Sequence, residues 1–66
     1  MNLKRSIAIN LAKNDLTQQE LARKIGVTQA QISGLVVRGT CTTNTLERLA
    51  TAFNLTVSEF IAVGES

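Results

Sequence analysis

The residues from Leu16 to Ile32, LTQQELARKIGVTQAQI, decide how this chain folds. They contain two copies of one pattern: an apolar residue, Thr, two variable positions, Glu or Gln, and another apolar residue. The first copy ends at Leu21, the second begins at Val27, and a third copy, LTVSEF, occupies residues 55–60. A Thr hydroxyl in this position can accept a hydrogen bond from the N–H three residues later. The Glu or Gln side chain there can accept one from the N–H of the Thr. Each copy therefore predicts the start of a helix.

The first two predicted starts, Thr17 and Thr28, are only eleven residues apart. One helix must end and the next begin within that interval. Gly26 lies at the junction, where glycine readily adopts the left-handed conformation that ends a helix. Gln29 follows on the opening turn of the second helix. Two short helices, a glycine turn and a glutamine in this position are typical of a DNA-binding helix-turn-helix, here over about residues 17–37.

Length and composition are those of one small domain over residues 1–66. Hydrophobic residues make up 44% of the chain, and the absence of Pro with only four Gly leaves little room for long loops. No apolar run is long enough for a signal peptide or a membrane span, so neither is expected. Cys41 is the only cysteine, which rules out an internal disulfide and suits a cytoplasmic location. We expect it to be a partly shielded loop thiol rather than a redox switch.

The composition supplies little for enzymatic chemistry. The chain has no His and no Tyr, so no imidazole can activate Cys41 and no Cys/His cluster can bind zinc. The five acidic residues are scattered along the sequence, and no two are placed to share acid–base work. We therefore expect no catalytic site, metal, cofactor or small-molecule ligand. The net charge of +2 is compatible with DNA binding but does not require it.

Hydrophobic spacing predicts an all-α fold of five helices. The first helix is expected over about residues 2–14, with its inner face formed by Leu3, Ile7 and Leu11 at intervals of four. Two alanines, Ala8 and Ala12, are expected beside this face. The exposed side is expected to carry Lys4, Arg5, Asn10 and Lys13.

The next two helices are predicted over about 17–25 and 28–37. Their inward residues are expected to be Leu21, Ala22, Ile25, Ile32, Leu35 and Val36.

The last two helices follow a loop over residues 39–43. The fourth helix is predicted to start near Asn44, with Asn44 as its cap and Glu47 at the third helical position. The fifth starts at Thr56, and residues 64–66 are expected to fray. The inward residues of these helices are expected to be Leu46, Leu49, Ala50, Phe53, Phe60 and Ile61.

Taken together, these residues resemble the Cro/repressor (Xre-like) helix-turn-helix family. The resemblance covers about residues 3–62. It rests on Gln18, Leu21, Ala22, Ile25, Gly26, Val27, Ile32, Leu35, Leu46, Leu49, Ala50, Phe53, Asn54, Leu55, Thr56, Val57 and Phe60. It implies a compact five-helix domain that binds double-stranded DNA, with the helix over about 28–37 in the major groove.

The resemblance also implies roles for individual residues. Gln29 can bond bidentately to adenine, Ala30 can contact a thymine methyl group, and Ser33 can reach a base. Gln18 is expected to bind a phosphate and to brace Gln29. Gly34 lies on the same helix where relatives often carry a polar side chain, and it lowers helix stability by ~1 kcal/mol relative to Ala. Phosphate contacts are expected from Thr17, Gln18, Gln31, Arg38, Thr40, Thr42 and Thr43.

We therefore expect a sequence-specific transcriptional regulator, a repressor of the small phage-type or stand-alone kind. Because one helix-turn-helix reads only a few base pairs, a homodimer on a two-fold operator is expected. The dimer surface is expected at Phe60, Ile61 and Val63. The alternative is a protein–protein interaction module of the same fold, antitoxin-like or a co-regulator, which the modest charge and Gly34 favour.

Overall fold

The computed structural model describes residues 2–65 as five α-helices joined by short links. The helices are α1 (Leu3–Asn14), α2 (Gln18–Ile25), α3 (Gln29–Arg38), α4 (Thr43–Ala52) and α5 (Val57–Glu65). No strand occurs within the described range, so the predicted all-α fold is confirmed.

All three predicted helix starts carry the reciprocal cap. At the start of α2, Thr17 Oγ1 accepts from the Glu20 N–H at 3.2 Å, and Glu20 Oε1 accepts from the Thr17 N–H at 3.0 Å. The same two hydrogen bonds, between 2.8 and 3.1 Å long, form in the pairs Thr28–Gln31 and Thr56–Glu59. The repeated six-residue pattern is therefore a capping box, as predicted.

The helices before these three caps, α1, α2 and α4, all end with the same backbone geometry. A residue with positive φ follows each helix: Asp15 at 54°, Gly26 at 77° and Asn54 at 58°. The next residue is apolar, and its N–H donates at 2.9 Å to the carbonyl five residues earlier. These bonds are Leu16 to Leu11, Val27 to Ala22 and Leu55 to Ala50. This is the Schellman geometry, so one apolar residue both closes a helix and precedes the cap of the next.

The start of α4 differs from the prediction. Thr42 Oγ1 accepts from the Thr45 N–H at 3.3 Å and donates to Thr45 Oγ1 at 3.0 Å. The prediction that Asn44 caps this helix, with Glu47 at its third position, is therefore wrong. Asn44 lies inside the first turn, because the backbone is still extended at Thr42 and is helical from Thr43 onward.

One hydrophobic core holds the five helices together. Phe53 and Phe60 stack within it, with ring centroids 6.1 Å apart and planes 8° from parallel. The predicted inward residues Leu11, Ile25, Val36 and Ile61 are half-buried and pack against this core. The fully enclosed members include Leu3, Ile7, Leu21, Ala22, Ile32, Leu49, Ala50 and Phe60.

The polar side of α1 is narrower than predicted. Asn10 was expected to be exposed but is only 3% exposed, because it lies three residues after Ile7 on the same inner face. The chain tolerates the buried amide because Asn10 Nδ2 donates to the Ser6 carbonyl at 2.8 Å. Ala8 and Ala12, expected beside the inner face, are exposed instead.

The end of α5 packs against α1 rather than fraying. Gly64 is buried, and a Cβ built there would overlap Ser6 Oγ and stand 2.6 Å from the Asn2 carbonyl oxygen. Only a glycine lets the two helices approach this closely. The prediction of fraying is therefore wrong for Gly64 and Glu65, while the third residue of that prediction, at position 66, lies outside the described residues.

The packing leaves one side of α3 uncovered. Helix α1 packs against α3 and α5, α2 packs against α3 and α4, and α4 packs against α5. The buried residues of α3, Ile32 and Leu35, lie on one side of the helix. None of the helices in residues 2–65 is long and apolar enough to cross a membrane.

Candidate nucleic-acid interface

The uncovered side of α3 is the candidate interface. Ile32 and Leu35 are buried against the core, so the residues on the opposite side of the helix point outward. Gln29 and Ala30 are exposed, and Ser33 and Gly34 are half-buried. Val37 is 85% exposed. We term these five residues the outer face of α3; they include all three predicted base contacts.

A hydrogen bond joins this outer face to the start of α2. The Ser33 hydroxyl donates to Gln18 Oε1 at 3.2 Å, across the angle between the two helices. Gln18 was expected to brace Gln29, but its partner is Ser33. The Gln29 side chain makes no hydrogen bond to another described residue, and its amide is exposed to solvent. Gln18 and Ser33, two predicted DNA contacts, are thus joined by a hydrogen bond, and Gln29, a third, is available to bind a ligand.

A groove of about 730 Å³ runs between α3 and the link that leads to α4. It brings several predicted base and phosphate contacts onto one surface. Its lining includes Ala30, Gln31, Gly34, Arg38, Thr40 and Thr42. Thr43 follows Thr42 in the chain and is exposed on the first turn of α4.

Three of the predicted phosphate contacts also serve as helix caps. Thr17 and Thr42 accept backbone N–H groups through Oγ1, and Gln31 accepts one through Oε1. Gln31 still has its amide NH₂ to donate, and Thr17 still has its hydroxyl proton. The Thr42 hydroxyl proton is directed at Thr45, so a phosphate contact from Thr42 would compete with that bond.

Arg38 brings a positive charge to the edge of the groove. Its guanidinium folds back over Gly34, so that a Cβ built on Gly34 would stand 3.7 Å from Nη1. That is an ordinary van der Waals distance, so a methyl group at position 34 would fit beneath the guanidinium without a clash. The glycine is therefore not required by packing, unlike Gly64.

Cys41 lies half-buried in the same groove and packs against the core. Burial raises the pKa of its thiol above the ordinary value. A raised pKa lowers the thiolate fraction at neutral pH, and the thiolate is the reactive form. This supports a structural thiol.

The predicted dimer residues fall into two groups. Phe60 is fully buried inside the chain, stacked on Phe53, so its ring is not available to a second copy. The prediction that Phe60 forms part of the dimer surface is therefore wrong, because its ring packs inside the core of its own chain. Ile61 and Val63 are half-buried and keep part of their surface in solvent.

Comparison with known protein families agrees with this geometry. The family model for the Cro/C1-type helix-turn-helix DNA-binding domain matches residues 7–64. The chain belongs to this family. No curated protein and no solved structure gives a significant match. The resemblance drawn from the sequence is therefore confirmed, and with it the DNA-binding class of the domain.

Sequence reasoning missed two features of the interface. It assigned no role to Val37, although a helical period of 3.6 residues places this residue beside Ala30 and Ser33. It also missed the bond between Gln18 and Ser33. The sequence carries no signal for that bond, since it depends on the angle between α2 and α3.

Proposed function

We propose that this protein is a sequence-specific transcriptional repressor that binds a two-fold DNA operator as a homodimer. The observation that carries the proposal is the outer face of α3. Three of its five residues, Gln29, Ala30 and Val37, are exposed, and Gln29 lies on its first turn. A helix with these properties fits the major groove, which is about 12 Å wide.

The size of the side chains on the outer face supports a close approach to the bases. Ala30 and Gly34 lie one turn apart and add almost no bulk of their own, and only the far end of the flexible Arg38 side chain lies over Gly34. The backbone of α3 can therefore lie deep in the DNA major groove, where Gln29 would bond bidentately to an adenine. Ala30 would then contact a thymine methyl group, and Ser33 would reach a base edge while bonded to Gln18.

Residues around the outer face would hold the DNA backbone. Gln18 accepts from Ser33 through Oε1, which leaves its NH₂ group to donate to a phosphate. On the opposite side of α3, the protein groove between α3 and α4 contains Arg38 and Thr40, and the exposed Thr43 follows on the first turn of α4. Such contacts fix the position of the protein on the duplex without reading its sequence.

Dimerisation would supply the rest of the specificity. One copy of α3 reads only a few base pairs, so two copies on one face of the DNA, with half-sites ~34 Å apart, would be needed to select a unique operator. We assign the dimer contact to the exposed parts of Ile61 and Val63 on α5. Repression would follow if the operator overlaps a promoter.

Binding-site selection from a random DNA library tests the proposal directly. The expected result is an enriched motif with two-fold symmetry, whose half-sites are about one helical turn apart. A reporter carrying the motif within its promoter should lose expression when the protein is present. Failure to enrich any motif at low and moderate salt would refute sequence-specific binding and favour a protein–protein interaction module.

A further inference from the structure

Val37 is the only large hydrophobic side chain among the described residues that is mostly exposed, at 85%. It contributes almost no surface to the core. Valine is also a weaker helix former than Ala, Lys, Glu or Gln, so it is not favoured by helix stability in α3. Neither the fold nor the helix accounts for an apolar residue here.

The helical repeat places Val37 in the middle of the outer face of α3. At about 100° per residue, Val37 lies within about 20° of Ala30 and about 40° of Ser33 around the helix axis. It lies ~10 Å beyond Ala30 along the axis, at ~1.5 Å per residue. This distance corresponds to roughly three base-pair steps of ~3.4 Å.

We propose, on the basis of the proposed function, that Val37 is a specificity-determining residue that contacts the C5-methyl group of a thymine. This thymine lies about three base pairs from the one that faces Ala30. Val37 has no hydrogen-bonding group, and the thymine methyl is the apolar feature of the major-groove edges. A valine facing any other base would lose water contact without gaining an apolar partner.

The neighbours of Val37 favour DNA over a protein as its partner. Arg38 follows it directly, and Arg38 lines the groove between α3 and α4 together with Thr40 and Thr42. A single exposed apolar side chain next to a cation matches a thymine methyl group near a phosphate, and it is too small a patch for a protein interface. Gly34, one turn before Val37, has no side chain of its own, and only the far end of the flexible Arg38 side chain lies over it.

Replacement of thymine by deoxyuridine in the selected operator provides the test. Uracil keeps every hydrogen-bonding group of thymine and lacks only the methyl. Each thymine of a half-site is replaced in turn, and the dissociation constant is measured for wild type, Val37→Ala and Gln29→Ala. At one position, the wild type should lose about fourfold in affinity per half-site, the factor that corresponds to one buried methyl group. Val37→Ala should show no loss there, whereas Gln29→Ala, which retains the valine, should show the full fourfold loss.

Val37→Ala should not destabilise the fold, because the site is exposed and Ala is the better helix former. Its melting temperature should be equal to or above that of the wild type. Equal sensitivity of wild type and Val37→Ala to deoxyuridine at every position would overturn the role of Val37 while leaving the proposed function intact. The same holds if Val37→Ala binds the unmodified operator with the same dissociation constant as the wild type. Absence of any selected operator for the wild type would overturn both.

Discussion

The Ser33 hydroxyl donates a 3.2 Å hydrogen bond to Oε1 of Gln18, fifteen residues earlier in the chain. It links the first turn of α2 to the outer face of α3, and so it connects a predicted phosphate contact with a predicted base contact. The bond orients the Gln18 amide with its oxygen toward α3. The NH₂ group of the same amide then remains for the DNA backbone.

A double-mutant cycle should detect this bond in the free protein. Ser33→Ala and Gln18→Ala should each lower the free energy of unfolding by about 0.5–1 kcal/mol, and the double variant should lose less than the sum, with a coupling of about 0.5–1 kcal/mol. Urea unfolding measures all three. Gln19→Ala is the matched control, since Gln19 is exposed and should not couple to Ser33. Strictly additive losses for Gln18 and Ser33 would show that the bond does not form in solution.

The start of α4 gives a second test, since sequence and structure disagree about its cap. Thr42→Ala should lower the free energy of unfolding by about 1 kcal/mol, because Thr42 accepts the Thr45 N–H. Asn44→Ala should change it by less than about 0.5 kcal/mol, as for an ordinary surface position. Thermal melts of both variants, with Thr28→Ala as a reference cap, decide between them. A larger loss for Asn44→Ala would restore the sequence-based assignment.

Two glycines should respond in opposite directions to the same substitution. Gly64→Ala should lower stability by about 1–3 kcal/mol, because the new methyl group meets Ser6 Oγ and the Asn2 carbonyl. Gly34→Ala should raise stability by about 0.5–1 kcal/mol, because its Cβ has room and alanine favours the helix. Thermal unfolding monitored by circular dichroism measures both. Equal changes would mean that α5 does not pack on α1 at this point.

The sequence predicts the helix starts well because each depends on a few neighbouring residues. The reciprocal cap at Thr17 needs only Glu20, three residues away, and the turn at Gly26 needs only a residue that tolerates positive φ. Asp15 and Asn54 adopt the same left-handed conformation, which the sequence analysis did not predict. The signal in the sequence is their position two residues before a capping Thr, which Gly26 shares.

The features that the sequence does not predict depend on contacts between helices. Asn10 has a polar side chain but lies on the inner face of α1, where a bond to the Ser6 carbonyl offsets its burial. Gly64 looks like a frayed end until α1 is placed beside it. Phe60 looks like a possible surface aromatic, yet its ring completes the core against Phe53. Each needs the three-dimensional packing, which periodicity within one helix does not contain.

The proposed dimer makes a prediction about α5. Ile61→Asp should weaken self-association by about tenfold or more, equivalent to 1.4 kcal/mol, because it places a charge in an apolar contact. Ala62→Asp is the matched control, with the same charge on the neighbouring, exposed side of the helix. Sedimentation equilibrium measures association, and circular dichroism checks that both variants remain folded. A wild type that stays monomeric at high concentration, both free and on DNA, would exclude a dimer.

The exposed amide of Gln29 makes the most specific prediction. Gln29→Ala should weaken operator binding by about 1–3 kcal/mol per half-site and relax discrimination at one base pair, because a bidentate bond to adenine is lost. Gln18→Ala provides the contrast: it removes a phosphate contact, so it should weaken binding while leaving the preference at the base pair read by Gln29 unchanged. Binding-site selection with wild type and both variants measures this. The motif recovered with Gln29→Ala should lose its preference at a single position in each half-site, and that recovered with Gln18→Ala should keep the wild-type preference at this position. Identical motifs for wild type and Gln29→Ala would show that Gln29 does not read the sequence, and the recognition role would then pass to the remaining residues of the outer face.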